Sequence, residues 1–495
     1  MERQDRMFGR SKTQVLLLVF LFLASMLAVQ FAFAQTSTPA PSPVPTPTML
    51  WQFTPYNYPG PGKYSINEWS TPTIVEGVVY VDMMGSRNYN KAVPVEGLPG
   101  ATHNVNVDEI WGGVYAINAT TGKLRWFFTS QGTELSPAVG DARVFAPISP
   151  YVMGAFNISN GQSLWSHTIA FPITEWGYYS PGVVGISSSP SYSDGRVFFG
   201  LTDSNVIALN ASTGKTLWTF ATDPLYQPNK NTSNDNPVRS TPTAANGVVY
   251  VDSTEGYLYA LNSSSGAKLW SYKTGIVDSA PIVADGKAYF SAYYKVIYSL
   301  NSTDGSIEWN YTCGSEWSST PNYDNSYWFI SPLAVDNDVV FFNYNGVVGW
   351  KDGSYKYFGT VCAIDALSGI KLWNITKDAG TSGALAVKNG VISHNGVVYV
   401  FSEDQNLYAL NAGNGETLWK YNIGKLVASS KIENNVAYYG PEKNILYALK
   451  LPPEPAPSSS PTSTIPEFSW IAILLPLAAT MAFALFIKFR QVKKH

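Results

Sequence analysis

From about residue 70 to residue 450 the chain alternates short apolar runs with short polar breaks and sustains no helical period. Residues 240–270 show the unit most plainly: Ser240-Thr241-Pro242, a break at Asn246-Gly247, the run Val248 to Val251, a second break, the run Tyr257 to Leu261, a turn at Asn262 to Gly266, and a last short segment ending in Trp270. Short β-branched and aromatic runs bounded by Gly, Asn and Ser predict strands joined by tight turns, because Asn bonds its own backbone and Gly accepts positive φ. Val248-Val249-Tyr250-Val251 is apolar at every position rather than alternating, so both faces of that strand should be covered.

The pattern repeats. Gly, three residues and Trp recur at Gly122/Trp126, Gly161/Trp165, Gly214/Trp218, Gly266/Trp270, Gly305/Trp309, Gly369/Trp373 and Gly415/Trp419, and Trp51 opens the series without its glycine. Four short strands per unit, repeated, predict an all-β propeller. The last unit reaches Leu446 to Leu449 and then meets Pro452-Pro453 with neither turn nor Trp, so its outer strand is missing. Met49 to Phe53 can supply it, which gives eight four-stranded blades over residues 49–451 with the amino-terminal strand closing the last. The eight tryptophans Trp51, Trp126, Trp165, Trp218, Trp270, Trp309, Trp373 and Trp419 occupy one blade position and are expected to pack between blades.

The chain ends change the picture from a soluble ring to an anchored one. Residues 1–34 carry Arg3, Arg6, Arg10 and Lys12, then an apolar stretch and Ala32-Phe33-Ala34, the layout of a secretory signal peptide, with an uncleaved anchor as the alternative. Residues 35–48 form a Pro/Ser/Thr linker, and residues 452–468 a second one. Residues 469–487 are long and apolar enough for a transmembrane helix, and Lys488, Arg490, Lys493 and Lys494 in the tail 488–495 place that end in the cytoplasm and the propeller outside. Charged residues are only 14% of the chain and the net charge is −3, so no basic stripe points to nucleic acid. A monomeric ring is expected.

Eight Asn-x-Ser/Thr sequons, at Asn118, Asn157, Asn210, Asn231, Asn262, Asn301, Asn310 and Asn374, suit an exported glycoprotein. Five of them, Asn118, Asn157, Asn210, Asn262 and Asn301, are also good turn formers in their own right. Cys313 and Cys362, the two cysteines, either pair as a disulfide or stay as two partly buried thiols. His103, His167, His394 and His495 are not spaced for a metal site.

With blade strands labelled A to D from the axis outwards, the A–B and C–D turns are short, and every long insertion falls in the B–C and D–A connections. Those connections open on one face. Loops on a rigid scaffold are where binding residues gather, and these hold Glu109, Trp111, Glu175, Trp176, Tyr178, Asp235, Arg239, Glu316, Trp317, Trp328 and Trp350. Aromatic rings with interspersed carboxylates suit a protein interface, a glycan or a flat small ligand.

The recurring Ala-Leu-Asn-x-x-x-Gly-Lys-x-Leu-Trp, as in Ala208 to Trp218, resembles the pyrroloquinoline quinone (PQQ) repeat of the eight-bladed quinoprotein-like propellers, over nearly all of residues 50–450. Asn usually stands here where that family most often has Asp. The resemblance implies two classes: quinoprotein alcohol dehydrogenases, which bind PQQ and calcium and use an aspartate base, and non-catalytic propellers such as bacterial outer-membrane assembly lipoproteins. The adjacent cysteine pair of the dehydrogenases is missing, no haem motif is present, and no calcium set falls on particular residues. The expected function is therefore a surface-anchored binding or scaffold module rather than an enzyme, with a PQQ- and calcium-dependent dehydrogenase as the alternative. Pro466-Glu467-Phe468 resembles a sorting signal of archaeal surface proteins, which would imply removal of the span during processing.

Overall fold

Each repeat folds as an antiparallel blade whose strands follow one another outwards, so the apolar runs become the two central strands and the Trp segment the outermost. The computed structural model describes residues 46–55, 63–94, 102–169, 184–222, 238–275, 279–292, 296–313, 323–330, 332–350, 355–378, 390–402, 404–424, 430–440 and 445–453. The expected signal peptide, the apolar carboxy-terminal run and the basic tail lie outside these residues, as does most of each linker. Among the described residues no helix is long and apolar enough to cross a membrane.

Eight sheets arise, six of four strands and two of five. In the fourth blade strand A is Thr243–Ala245, B is Val248–Ser253, C is Tyr257–Asn262 and D is Lys268–Lys273. Strands B and C are buried along their length, as the unbroken apolar runs require, while D alternates because only its inner face meets a neighbour. Innermost strands of successive blades touch each other from blade one through to blade eight. The last sheet closes as the sequence predicts: Thr48–Phe53 pairs antiparallel with Leu446–Lys450, Thr48 facing Lys450 and Phe53 facing Leu446.

Blades are locked to one another through tryptophan. The Trp218 indole N–H donates to the Ser263 carbonyl of the next blade at 3.0 Å. The same bond runs from Trp51 to Ala119, Trp126 to Ile158, Trp165 to Ala211, Trp270 to Ser302, Trp309 to Ala366 and Trp373 to Ala412, at 2.8 to 3.2 Å. Trp51 belongs to the closing strand, so it fastens the eighth blade to the first. A bulge precedes each of these tryptophans: Ala260 pairs with Trp270 but Leu261 with Lys268, leaving Leu269 over. Such a bulge re-aims the next side chain, here turning the indole towards the adjacent blade and Leu269 towards solvent.

Trp419 differs from this series in what it packs against. It stands on Thr417–Asn422 of blade seven opposite Ala409, with the usual bulge between Ala409 and Leu410. Its neighbour is blade eight, whose strand C runs into Leu451-Pro452-Pro453 and offers no glycine turn for an indole to lie on. The Trp419 ring is nevertheless 8% exposed, because it shares an apolar cluster with Ile432, Ala437, Leu449 and Leu451 of blade eight and stands 6.0 Å from the Tyr399 ring. Aliphatic packing thus joins blades seven and eight where a turn joins the other pairs.

The glycine of the Gly-to-Trp turn has two jobs. Gly266 sits at φ +72°, and a Cβ there would stand 2.7 Å from the Trp218 ring. The turn thus presses its bare backbone against the indole of the preceding blade. Asn262 Oδ1 holds the turn by accepting from the Ser264 and Ser265 amides at 3.0 Å each and from Ser265 Oγ at 3.1 Å, the Asx chemistry that explains an Asn at this position.

The insertions of blades one and six are not loops. Val78–Pro94 and Thr102–Asn118 form one long hairpin, and Lys63–Trp69 adds a third strand along Met83 to Asn88. In blade six Val339–Trp350, Tyr355–Asp365 and Tyr323–Ile330 repeat the arrangement. The expectation that these long B–C insertions are loops is therefore corrected for the described residues 84–94, 102–110, 344–350 and 355–358: the backbone continues the blade ladder, and strand pairing satisfies amides that a loop would leave to water.

We expect Gly266→Ala to cost about 1–3 kcal/mol beyond the strain of its left-handed φ, and Gly247→Ala, at φ +78° with open space around it, to cost only that strain, about 1–2 kcal/mol. Denaturant midpoints of the two variants check this.

Candidate functional site

Strand B of every blade ends on the face of the B–C and D–A connections. Its fifth residue, counted from the residue paired with the C–D turn, marks the transition from packed blade to open face. In four blades that residue is polar: Asp82, Asp252, Ser291 and Asn343. All four are buried, Asp82 and Asn343 completely. Polar groups buried at the end of an apolar strand need partners: Asp82 and Ser291 reach connecting segments, and the Asn343 amide donates to Asn345 Oδ1 on its own strand at 3.2 Å.

Asp82 shows the arrangement best. Its amide donates to Ser70 Oγ at 2.8 Å and its carbonyl accepts from the Ser70 amide at 2.9 Å, which explains the serine of the Ser-x-Pro motif. Gly200 and Ser188 repeat the first bond in blade three, and Ser279 Oγ lies 2.8 Å from Ser291 Oγ in blade five. The Asp82 carboxylate reaches further: Oδ2 accepts from the Thr133 amide at 2.9 Å and from Thr133 Oγ1 at 3.0 Å. Thr133 lies in the connection that enters blade two, so Asp82 clasps that connection to blade one. Burial raises the Asp82 pKa from 3.8 to about 7; the Thr133 bonds oppose the shift and the nearby Glu134 charge adds to it. Burial also lifts the adjacent Tyr115 to about 12, with the Asp82 charge contributing.

The candidate residues of the sequence divide into three groups. Glu109 and Trp111 lie on Thr102–Asn118 and face Arg87 and Gly85 in register. Trp328 lies on Tyr323–Ile330 opposite Gly346, and Trp350 ends Val339–Trp350 opposite Tyr323. These four belong to the two strand extensions. Arg239 is exposed beside the buried Val238, whose amide bonds the Leu201 carbonyl. Glu175, Trp176, Tyr178, Asp235, Glu316 and Trp317 lie outside the described residues. Asp82, Ser291 and Asn343 were not among the sequence candidates. The signal for the first was present in Val78-Val79-Tyr80-Val81-Asp82, which repeats as Val248-Val249-Tyr250-Val251-Asp252.

Cys313 and Cys362 are both buried in one apolar cluster, with Tyr311 against it. Among the described residues no three His, Cys, Asp or Glu side chains gather as a metal ion would need. Of the sequon asparagines, Asn118, Asn157, Asn210, Asn262 and Asn301 accept turn hydrogen bonds through Oδ1. Asn310 and Asn374 are exposed on outer strands directly after Trp309 and Trp373. Asn231 lies outside the described residues.

A closed eight-bladed ring bearing a Gly-to-Trp turn in seven blades defines a PQQ-repeat, quinoprotein-like propeller. Residues 91–224, 202–343 and 275–440 match the family described as outer membrane protein assembly factor BamB, and the chain belongs to that family of repeats. It is 25% identical over 381 residues to the tetrathionate hydrolase of Acidithiobacillus ferrooxidans, covering 76% of this chain and 61% of that one. It is 29% identical over 168 residues to the outer membrane protein assembly factor BamB of Yersinia pestis, covering 33% of this chain and 40% of that one. The fold is also that of the quinohaemoprotein alcohol dehydrogenase of Comamonas testosteroni, at TM-score 0.54 and 14% identity, over 83% of this chain and 78% of that one. The chain thus spans less than two thirds of the curated relatives' own length, and those relatives include both enzymes and an assembly factor.

The clasp has a pH signature. A carboxyl whose folded pKa exceeds its unfolded value binds more protons when folded, so its stabilising contribution is complete at low pH and declines as pH rises through the window from about 4 to about 7. Asp82→Asn keeps an acceptor for Thr133 without the charge. The melting temperature of the native protein relative to this variant should fall as pH rises across that window, and a constant difference would contradict it.

Proposed function

We propose that this protein is an exported, membrane-anchored propeller that binds a protein partner on its strand-extended face and acts as a scaffold rather than as a catalyst. One observation carries the reading. Blades one and six project three-stranded extensions, and both project on the face of the B–C and D–A connections. Extended strands offer backbone edges and side-chain rows for a partner protein, whereas the opposite face has only short turns. Membership of a family described as an assembly factor supports a protein partner. A glycan or a small ligand at the same face is the secondary form of the reading. The amino-terminal signal and the apolar carboxy-terminal run support export and anchoring.

The rival is an oxidoreductase using PQQ with calcium. Three converging carboxylate, thiol or imidazole groups are not found among the described residues, and Cys313 and Cys362 are carried by different blades rather than adjacent in sequence.

A photo-crosslinking residue at Asn106, on the blade-one extension, should trap a discrete protein adduct in intact cells, and one at Asn246, on the short-turn face, should not. Stoichiometric uptake of PQQ with calcium by the purified chain, accompanied by substrate-dependent dye reduction, would overturn the scaffold reading.

A further inference from the structure

The short-turn face carries an apolar anomaly. In the C–D turns, the residue two after the turn Asn or Asp is Thr120, Ser159, Ser212, Ser264, Thr303, Leu367 and Gly413 in blades one to seven, and the residue five after it is Lys123, Gln162, Lys215, Ala267, Ser306, Ile370 and Glu416. Blade six alone puts large aliphatic side chains at both positions. Leu367 is 73% exposed and Ile370 66%, the two highest values among the exposed large hydrophobic residues, and Leu372 beside them is 50% exposed. The exposure is built in, because Asp365 Oδ1 accepts from the Ser368 amide at 2.7 Å and from Ser368 Oγ at 2.6 Å and fixes the turn. Lys371, also exposed, stands between Ile370 and Leu372. Clustered apolar side chains held out in this way mark a contact surface.

The chain's own path says what lies opposite. Leu446–Lys450 is the C strand of blade eight and runs towards the short-turn face, and Thr48–Phe53, paired to it with Thr48 beside Lys450, starts from that same face. Both linkers therefore leave the ring there. The linker at 452–468 spans at most about 50 Å even when fully extended as polyproline, and the apolar run Trp470 to Ile487 follows it. One blade separates the chain exit from blade six, and Met49 and Leu50 at the exit are exposed as well.

We infer that the short-turn face rests on the lipid bilayer, with the Leu367–Leu372 turn of blade six inserted into the headgroup region and the strand extensions pointing away from the membrane. This rests on the anchored reading above. Aliphatic side chains flanking a lysine match an anionic bilayer interface, the chains entering the acyl boundary while the ammonium stays among headgroups. Because the tether holds the ring at the surface, the high effective concentration lets a small patch suffice. Anchoring also gives the two faces of the ring separate roles.

The test uses the full chain in phosphatidylcholine and phosphatidylglycerol vesicles containing doxyl-labelled lipid, with a bimane label on Ile370→Cys or, at the opposite face, on Arg239→Cys. Buried Cys313 and Cys362 do not compete for label in the folded protein. Quenching should be at least about twofold stronger at position 370 than at 239, and Leu367→Ser in the labelled chain should reduce it. Equal quenching at the two positions, in chain that stays with the vesicles through alkaline carbonate, would overturn the docking and leave the anchor standing. Release by carbonate would overturn both. Crosslinking of two chains through position 370 would assign the patch to a second copy and sink the lipid contact.

Discussion

The ring depends on one repeated contact, an indole lying on a bare glycine turn of the next blade while its N–H bonds a carbonyl of that turn. Each instance combines burial of a large aromatic, worth about 2–3 kcal/mol, with a hydrogen bond of about 1 kcal/mol. The three parts are interdependent. Without glycine the turn cannot approach the ring, without the Asx bonds the carbonyl is not presented, and without the bulge before Trp the indole does not point at its neighbour. Closure uses the same contact, since Trp51 on the first strand reaches Ala119 of the first blade. Trp419 marks what sharing the last sheet costs: blade eight takes its outer strand from the other chain end, so it has no C–D turn, and Leu449 and Leu451 cover the indole instead.

This lock is confined to the outer strands, which leaves the two faces of the ring to differ. On one face the turns are minimal. On the other, strands continue past the blade in two places and buried polar residues sit where strand B ends. Asp82 belongs to this second set, yet its bonds to Thr133 and Ser70 are internal. It organises a connection, and its raised pKa follows from burial rather than from a reacting partner. A perturbed carboxylate on a propeller face is thus a structural clasp before it is a base, and it holds the connection into blade two against the first extension.

The blade count, strand order and closure were legible in the chain because they follow from local periodicity. Gly122 to Trp126 and its six counterparts define the turns, Val248 to Val251 defines a doubly covered strand, and the missing turn after Leu449 exposes the need for a strand from elsewhere. The functional face was legible only in outline. The insertions of blades one and six could be located but not typed, because Ser86 to Val93 and Asn345 to Trp350 carry polar and apolar residues without strict alternation; pairing with Lys63–Trp69 and Tyr323–Ile330, distant or unremarkable in sequence, makes them strands.

What the chain determines alone is whatever a single repeat can specify: turn chemistry, the buried character of B and C, the place of each Trp. Tertiary structure decided which distant segments meet. Thr133 finding Asp82, Trp419 meeting Leu451 rather than a glycine, the two cysteines sharing one core, and the chain ends emerging on the face that carries Leu367 and Ile370 all depend on how the ring closes. Side-chain periodicity records burial along a strand, and it holds no information on which strand or connection lies across from it.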